Sequence, residues 1–151
     1  MEYRAYLKSI VGPLEIVADD KNILAINFVK RVAKNNHNTL TRQCVVELKE
    51  YFKGQRKIFN LPIKLSGTLW QESVWLSLSQ IPYGGIISYA DLAAMSANPR
   101  AARAVGNAVN KNKVPIIMPC HRVLASGGAW GGYAGGLSKK RALLALEKSF
   151  D

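Results

Sequence analysis

The stretch Val114-Pro115-Ile116-Ile117-Met118-Pro119-Cys120-His121-Arg122-Val123-Leu124 is the point around which the rest of the chain is organised. A short apolar run bracketed by two prolines reads as a buried strand or extended segment, and it delivers a cysteine, a histidine and an arginine at its end. Pro119 fixes its own φ and pushes Met118 out of the helical region, so the backbone carrying Cys120 has little freedom. Most free cysteines are small buried hydrophobes, and Cys120 taken alone reads the same way. Whether it is a reactive thiol turns on what the chain places around it.

Moving outward, a glycine-rich segment follows, Ser126-Gly127-Gly128-Ala129-Trp130-Gly131-Gly132-Tyr133-Ala134-Gly135-Gly136. Glycine at this density lets a backbone lie close to a ligand, with Trp130 and Tyr133 available to stack or wedge. It is not a nucleotide loop, because it lacks a Gly-Lys-Ser or Gly-Lys-Thr and the strand-turn-helix context. The spacing predicts a final helix capped by Ser138, with Leu143, Leu146 and Phe150 on the buried face. Glu147 shares that face, and a buried carboxylate needs a partner. Lys139, Lys140 and Arg141 fall in the first turn, where the helix dipole disfavours cations; they serve phosphate contacts or a solvated face.

Upstream, Val74, Leu78 and Ile81 make a helical stripe flanked by Trp70 and Trp75, stopped by Pro82-Tyr83-Gly84-Gly85. Ser88 with Asp91 is a capping-box signature for a short helix to Met95, and Tyr89 in its first turn either points its hydroxyl outward or packs half-buried. Asn98-Pro99 signals another helix, Arg100 to Asn110. Its apolar face is Ala102, Val105 and Val109; Arg100, Arg103, Asn107 and Asn110 line the other. The pair has the form of a helix-turn-helix, the second helix being the one presented to DNA. Ala101, Ala104, Gly106 and Ala108 are short enough for close approach to a groove, or for tight helix packing.

The first half has a different texture. Leu14, Ile16 and Ala18 alternate with more exposed positions, Gly12-Pro13 and Asp19-Asp20-Lys21-Asn22 mark turns, and Ile23–Phe28 follows, so a three-stranded antiparallel meander is expected. His37 in its asparagine-rich loop reads as solvated. A helix then starts at Thr39 or Thr41 as cap, with Val45, Leu48 and Phe52 as its stripe and Cys44 beside it in the core. Gly54 to Thr68 is punctuated by Gly54, Pro62 and Ser66-Gly67, with a short strand at Ile58–Leu61. Domain boundaries are expected at 1–60 and 69–151, with 61–68 as the linker.

The 151 residues are 48% hydrophobic and 21% charged, ordinary for a folded protein. Lys plus Arg is 21 against 10 for Asp plus Glu, a net charge of +11, which favours polyanionic partners such as nucleic acid. The excess is spread: 12 basic against 6 acidic residues in 1–67, and 9 against 4 in 68–151. Two distant cysteines argue against a disulfide framework and for a reducing compartment, and two histidines give no metal-ligand spacing. Without an apolar signal core or membrane-length run, a cytoplasmic protein is expected.

Taken together, Ile81-Pro82-Tyr83-Gly84, Ser88-Tyr89, Asn98-Pro99-Arg100-Ala101-Ala102-Arg103-Ala104-Val105-Gly106, Pro119-Cys120-His121-Arg122-Val123 and Gly132-Tyr133-Ala134-Gly135-Gly136-Leu137 resemble the O6-alkylguanine-DNA alkyltransferase family. The ordered motifs run from about Trp70 to Glu147. The resemblance implies an α+β fold, a small N-terminal antiparallel sheet-plus-helix domain followed by a mostly helical domain with a winged helix-turn-helix. It implies that Cys120 accepts the alkyl group of O6-alkylguanine, and of O4-alkylthymine, in double-stranded DNA, once per molecule and with no cofactor or metal. His121 would be the base acting through a water, Glu147 would orient it, Tyr89 would assist the leaving guanine, and Asn112 would position the segment or the thiol. Arg103 would fill the space of the flipped base while Ala101, Ala102 and Arg100 enter the minor groove, with Tyr133 and Lys140 also at the DNA. A monomer with little sequence preference is implied.

Two departures bear on adduct size and on polarisation of O6: Lys113 where the family usually has proline, and Ala134 where serine is common. Trp130 and Gly132 are also not the commonest residues there. A non-catalytic alkyltransferase-like lesion binder would lack the acceptor cysteine, which Cys120 argues against. A thiol hydrolase explains neither the charge nor the arginine helix.

Overall fold

The computed structural model describes residues 1–96, 101–125, 129–133 and 135–149. The expected roles of Asn98, Pro99, Arg100, Ser126, Gly127, Gly128, Ala134 and Phe150 lie outside the described residues. The chain forms two compact units that divide between Leu65 and Ser66.

In the first unit, strands β1 (Tyr3–Leu7), β2 (Leu14–Ala18) and β3 (Ile23–Phe28) form an antiparallel sheet in that order. Alternation puts Ala5, Leu7, Leu14, Ile16 and Ala18 on the buried side, and a register shift between Val17 and Ala18 interrupts it, so that Val17 is buried as well and Ile23 and Ile26, three residues apart in β3, are both buried. Fully burying one of the larger of these side chains is worth roughly 1.5–3 kcal/mol. The β2–β3 turn is closed by Asp19, whose Oδ1 accepts from the Lys21 and Asn22 N–H groups.

Helix α1 (Thr39–Phe52) packs on β1 and β2, and its start corrects the expectation of a threonine cap. Asn38 is the cap, its side chain accepting from Thr41 N–H, while Thr41 Oγ1 accepts from Asn38 N–H. Asn is among the strongest N-caps, and Thr41 closes the reciprocal half of the box. His37 is half-buried against Thr41 Oγ1 rather than solvated. The buried stripe is rotated from the expected one: Thr41, Cys44, Glu47, Leu48 and Tyr51 face inward, with Val45 and Phe52 half-buried.

No strand forms at Ile58–Leu61, because its polar groups are met by α1 side chains. Asn60 N–H donates to Glu47 Oε1 and Asn60 O accepts from Gln43 Nε2. Further on, Ile23 N–H donates to Pro62 O and Lys64 N–H to Ile23 O, so the segment 61–68 starts attached to the sheet.

The second unit opens with α2 (Leu69–Leu78), capped reciprocally by Thr68 and Gln71. Val74, Trp75 and Leu78 are buried, and the Trp75 indole N–H donates to Ala108 O of helix α4 (Ala102–Asn110). Helix α3 (Tyr89–Met95) is capped by Ser88 Oγ, which accepts from Asp91 N–H, and it packs against α4. Together α3 and α4 make the helix-turn-helix pair. Helix α4 begins at Ala102, later than the expected Arg100, and no side chain caps it at Ala101.

Two short strands, β4 (Ile87–Ser88) and β5 (Val123–Leu124), pair in parallel. This ladder fastens the start of α3 to the residues that follow Cys120, and the chain then turns back through an Ala125 N–H bond to Ala129 O. Helix α5 (Leu137–Ser149) starts one residue before Ser138, so Ser138 lies in the first turn and is not the cap. The fold is α+β, a sheet-plus-helix unit followed by a mostly helical one.

Candidate functional site

In the Val114–Leu124 stretch the apolar run is not the expected strand or extended segment, and only Val123–Leu124 (β5) is strand. Val114–Met118 is a tight turn, closed by Met118 N–H donating to Val114 O, and Cys120–Arg122 is one turn of 3-10 helix. Ile116 has φ +75°, a left-handed conformation that a β-branched residue rarely adopts. Strain of this kind is of order 1–3 kcal/mol and persists only where the surroundings over-determine it. Two features hold it here. Ile116 is buried, and Asn112 brackets the turn by donating from Nδ2 to Met118 O and accepting at Oδ1 from Val114 N–H. The sequence signal, two prolines in an apolar run, fitted a strand and a turn equally.

The 3-10 turn projects Cys120, His121 and Arg122 into the second unit, all three buried. Opposite them on α5 lies Glu147, which like His121 is 0% exposed. Glu147 Oε2 pairs with His121 Nε2 at 2.6 Å, and the two carboxylate oxygens accept from Arg122 Nη2 and Nε, each at 2.9 Å. Gly84 N–H adds a bond of 3.2 Å to Oε1; its φ of +78°, suited to glycine, shapes the turn after α2. Arg122 Nη1 donates to Ile81 O at 2.7 Å. Burial alone would raise the Glu147 carboxyl, but the hydrogen bonds from His121 and Arg122 outweigh it and hold the group down at about 2.

An ionised carboxylate only accepts, so His121 Nε2 carries the proton of that bond. Burial lowers the His121 pKa, against the opposing pull of Glu147, and the ring is therefore neutral at pH 7 with its lone pair on Nδ1. His121 Nδ1 is buried and has no hydrogen-bond partner among the described residues. That atom is a base with nothing yet to accept from.

Cys120 is 5% exposed, and burial pushes its thiol up to about 11. Four influences pull the other way: hydrogen bonds from Asn112, from its own backbone and from Tyr133, and the charge of Lys140. Tyr133, expected at the DNA, is half-buried with its hydroxyl at this thiol; burial, then the charge of Cys120, raises its own pKa. Tyr89 is half-buried at the start of α3, with its hydroxyl 3.5 Å from Gly132 O and within electrostatic reach of Cys120. Its ring lies on Gly131, where an added Cβ would come 2.8 Å from a ring carbon at a backbone φ of +65°. Gly106 of α4 borders the same ring.

Lys140 departs most from expectation. It is 0% exposed and turned inward, its ammonium donating to the carbonyls of Val123, Trp130 and Gly132. A phosphate cannot reach it there. Helix geometry explains the correction: three residues before Leu143, Lys140 falls on the buried face of α5.

The structure thus gathers Cys120, His121, Glu147, Asn112, Tyr89 and Tyr133 into one cluster. Arg103 stands apart, exposed on α4 with Asn107 and Asn110, and Ala101 and Ala102 are half-buried at its start. Among the described residues no set of three His, Cys, Asp or Glu could hold a metal ion, and no helix is long and apolar enough to cross a membrane. Sequence reasoning missed Arg122 and Gly84 as partners of Glu147. Charge matching could have found Arg122, a cation in an apolar run with one carboxylate on a buried face to meet it.

The family model for the 6-O-methylguanine DNA methyltransferase ribonuclease-like domain matches residues 2–65, and that for the DNA binding domain of the same proteins matches residues 69–149. The constitutive methylated-DNA–protein-cysteine methyltransferase of Bacillus subtilis is 49% identical over 155 residues, covering 95% of this chain and 93% of that protein. The Methanosarcina acetivorans protein of the same activity name is 38% identical over 154 residues, 97% of this chain and 99% of the relative. The crystal structure of Mycobacterium tuberculosis O6-methylguanine methyltransferase superposes with a TM-score of 0.91 at 35% identity, over 100% of this chain and 95% of that one. The Mycobacterium tuberculosis protein in complex with DNA gives 0.89 at 36% identity, over 96% and 92%. With both family domains matched in order along the chain, this protein belongs to the O6-methylguanine-DNA methyltransferase family.

Proposed function

We propose that this protein repairs double-stranded DNA by direct reversal, moving the alkyl group of O6-alkylguanine, or of O4-alkylthymine, onto Cys120 in a single turnover. The observation that carries the reading is a buried cysteine beside a neutral histidine with a free lone pair, whose other nitrogen is pinned by an ionised glutamate. A thiol near 11 is a poor nucleophile at neutral pH and needs a base. His121 Nδ1 takes the thiol proton through a water, and Glu147 stabilises the imidazolium that results. The thiolate attacks the alkyl carbon in line, the carbon–O6 bond breaks, and its electron pair stays on O6. Tyr89 donates a proton to the departing base and is reprotonated through solvent from His121. In net terms the thiol proton ends on guanine and the alkyl group on sulfur. Asn112 holds the thiol and the strained turn in place, and no cofactor takes part.

The target base must leave the stack, at a cost of a few kcal/mol. Exposed Arg103 fills the vacated space, while Ala101, Ala102 and Arg100 enter the minor groove with little sequence preference. The net charge of +11 supports phosphate attraction, and the related protein bound to DNA supports the partner class. The protein works as a cytoplasmic monomer, with residues 69–151 carrying both the DNA contact and the acceptor, joined by 61–68 to a domain of residues 1–60.

The test is a duplex oligonucleotide whose O6-methyl group is isotopically labelled, followed by peptide mass spectrometry. One label on the Cys120 peptide, stopping at one equivalent, is expected. Tight binding without transfer, or turnover beyond one equivalent, would overturn the reading.

A further inference from the structure

A lysine ammonium with zero exposure is rare unless an anion meets it, because removing the charge from water is costly. Lys140 breaks that pattern. Its hydrogen bonds go to three carbonyls, of Val123, Trp130 and Gly132, and among the described residues no carboxylate forms an ion pair with it. The carboxylate on the same helix, Glu147, is already occupied by His121, Arg122 and Gly84. Carbonyl dipoles solvate a cation without neutralising it.

The location of those carbonyls supplies the missing half. Val123 directly follows the turn that bears Cys120, and its N–H donates to Cys120 O. Gly132 O also receives the Tyr89 hydroxyl, and Trp130 flanks Gly131, on which the Tyr89 ring lies. One ammonium therefore ties β5, the glycine-rich loop and α5 together beside the thiol. The charged or titratable groups gathered around the thiol are Cys120, His121 and Arg122 on the 3-10 turn, Tyr89 on α3, Tyr133 on the loop and Glu147 on α5, and those that feel the charge of Lys140 are Cys120 and His121. Of these, the anion that arises during the reaction and has no cation of its own is the Cys120 thiolate.

We infer that Lys140 is the counter-ion of the Cys120 thiolate and, through the same ammonium, the latch that seats the Trp130–Gly132 loop beside it. Lys140 touches neither alkyl group nor base, so it is a positioning residue. The inference rests on Cys120 being the acceptor. Before transfer the ammonium stabilises the thiolate as His121 draws off its proton. Once the alkyl group is on sulfur the thioether is neutral, and the ammonium is left with carbonyls alone. The electrostatic coupling runs in this direction on both sides: Lys140 lowers the thiol pKa, and Cys120 raises that of Lys140 against the effect of burial.

The first test reads the Cys120 thiolate directly, as the rate at which iodoacetamide alkylates the Cys120 peptide at fixed neutral pH, in wild-type protein, Lys140→Gln and Lys140→Arg. Loss of the ammonium in the glutamine variant should slow that alkylation by about tenfold or more, while the arginine variant stays near wild type. The second test compares Lys140→Met with Lys140→Arg, folding being checked by near-UV circular dichroism. The methionine variant should transfer at least about tenfold more slowly at neutral pH, with its pH–rate profile displaced upward by about one to three units, while the arginine variant keeps most of the wild-type rate and profile. An unchanged iodoacetamide rate in Lys140→Gln, or a methionine variant slowed equally at every pH, would overturn the counter-ion. If the methionine variant does not fold, the glutamine variant decides. Failure of wild-type Cys120 to take up the alkyl group would instead sink the function proposed above, so the two failures are distinct.

Discussion

Arg122→Met removes the bidentate partner of Glu147, a buried carboxylate that also binds His121 and Gly84. In the wild-type protein that carboxyl is held at about 2, below its ordinary 4.5. Folding therefore favours its ionised form, and the resulting stability is full above the unfolded value and is lost as pH falls towards the folded one. A displacement of this size corresponds to about 3 kcal/mol. Without the guanidinium, burial dominates and the carboxyl moves upward, so that contribution disappears. Removing one partner of a buried pair typically costs about 3–5 kcal/mol at neutral pH, consistent with this figure. Urea unfolding followed by tryptophan fluorescence should show the wild-type advantage at pH 7 and its shrinkage by about 3 kcal/mol between about pH 5 and pH 2. Transfer should slow as well, because a protonated Glu147 no longer dictates which nitrogen of His121 bears hydrogen. A stability gap that stays constant across that pH range would refute the assignment of Arg122 as the group that keeps Glu147 ionised.

Cys120→Ala should keep binding to alkylated duplex in a gel-shift titration while losing all transfer, since the exposed α4 face is untouched. Arg103→Ala should slow transfer from duplex DNA by about tenfold or more, reflecting part of the few kcal/mol needed to extrude a base, and should leave reaction with a free O6-alkylguanine base nearly unchanged; equal losses on both would refute the role given to Arg103. Gly131→Ala meets the Tyr89 ring at 2.8 Å in a left-handed backbone, so it should displace that ring and lower the transfer rate with DNA affinity preserved, at a stability cost of about 1 kcal/mol or more.

What the sequence made legible follows from which physical signals are local. Alternation at Leu14, Ile16 and Ala18 and the turn residues after them predict the meander, and helical spacing predicts the order of helices in the second half. Glu147 was readable as a buried carboxylate from its spacing to Leu143 alone. Other features depend on tertiary context. Ile116 at positive φ carries no residue signal, since glycine or asparagine is the usual occupant, so the Val114–Met118 turn reads in sequence as a strand or extended segment. Asn38, Thr39 and Thr41 are all competent caps, and only the packed helix chooses among them. Lys140 lies at a spacing that places it inward, yet three consecutive basic residues read more readily as a surface. Its buried position becomes intelligible only with the glycine-rich loop folded over it.

The two cysteines make the deeper point about how a nucleophile differs from core. Cys44 and Cys120 are both buried, and burial raises both thiols, Cys44 to about 12 and Cys120 to about 11. Depth therefore does not separate them. The sign of every other influence does. The one further neighbour acting on Cys44, Glu47, is an anion and pushes the thiol further up. Cys120 is met by Asn112, Tyr133 and Lys140, each favouring the thiolate, and by a histidine whose free nitrogen can take the proton. Each of these groups comes from a different segment: the end of α4, the glycine-rich loop, α5 and the 3-10 turn itself. No short stretch of chain could assemble them, so the reactivity of Cys120 belongs to the closed second unit, and perturbations that loosen the β4–β5 ladder or the Asn112 bracket should slow transfer before they unfold the protein.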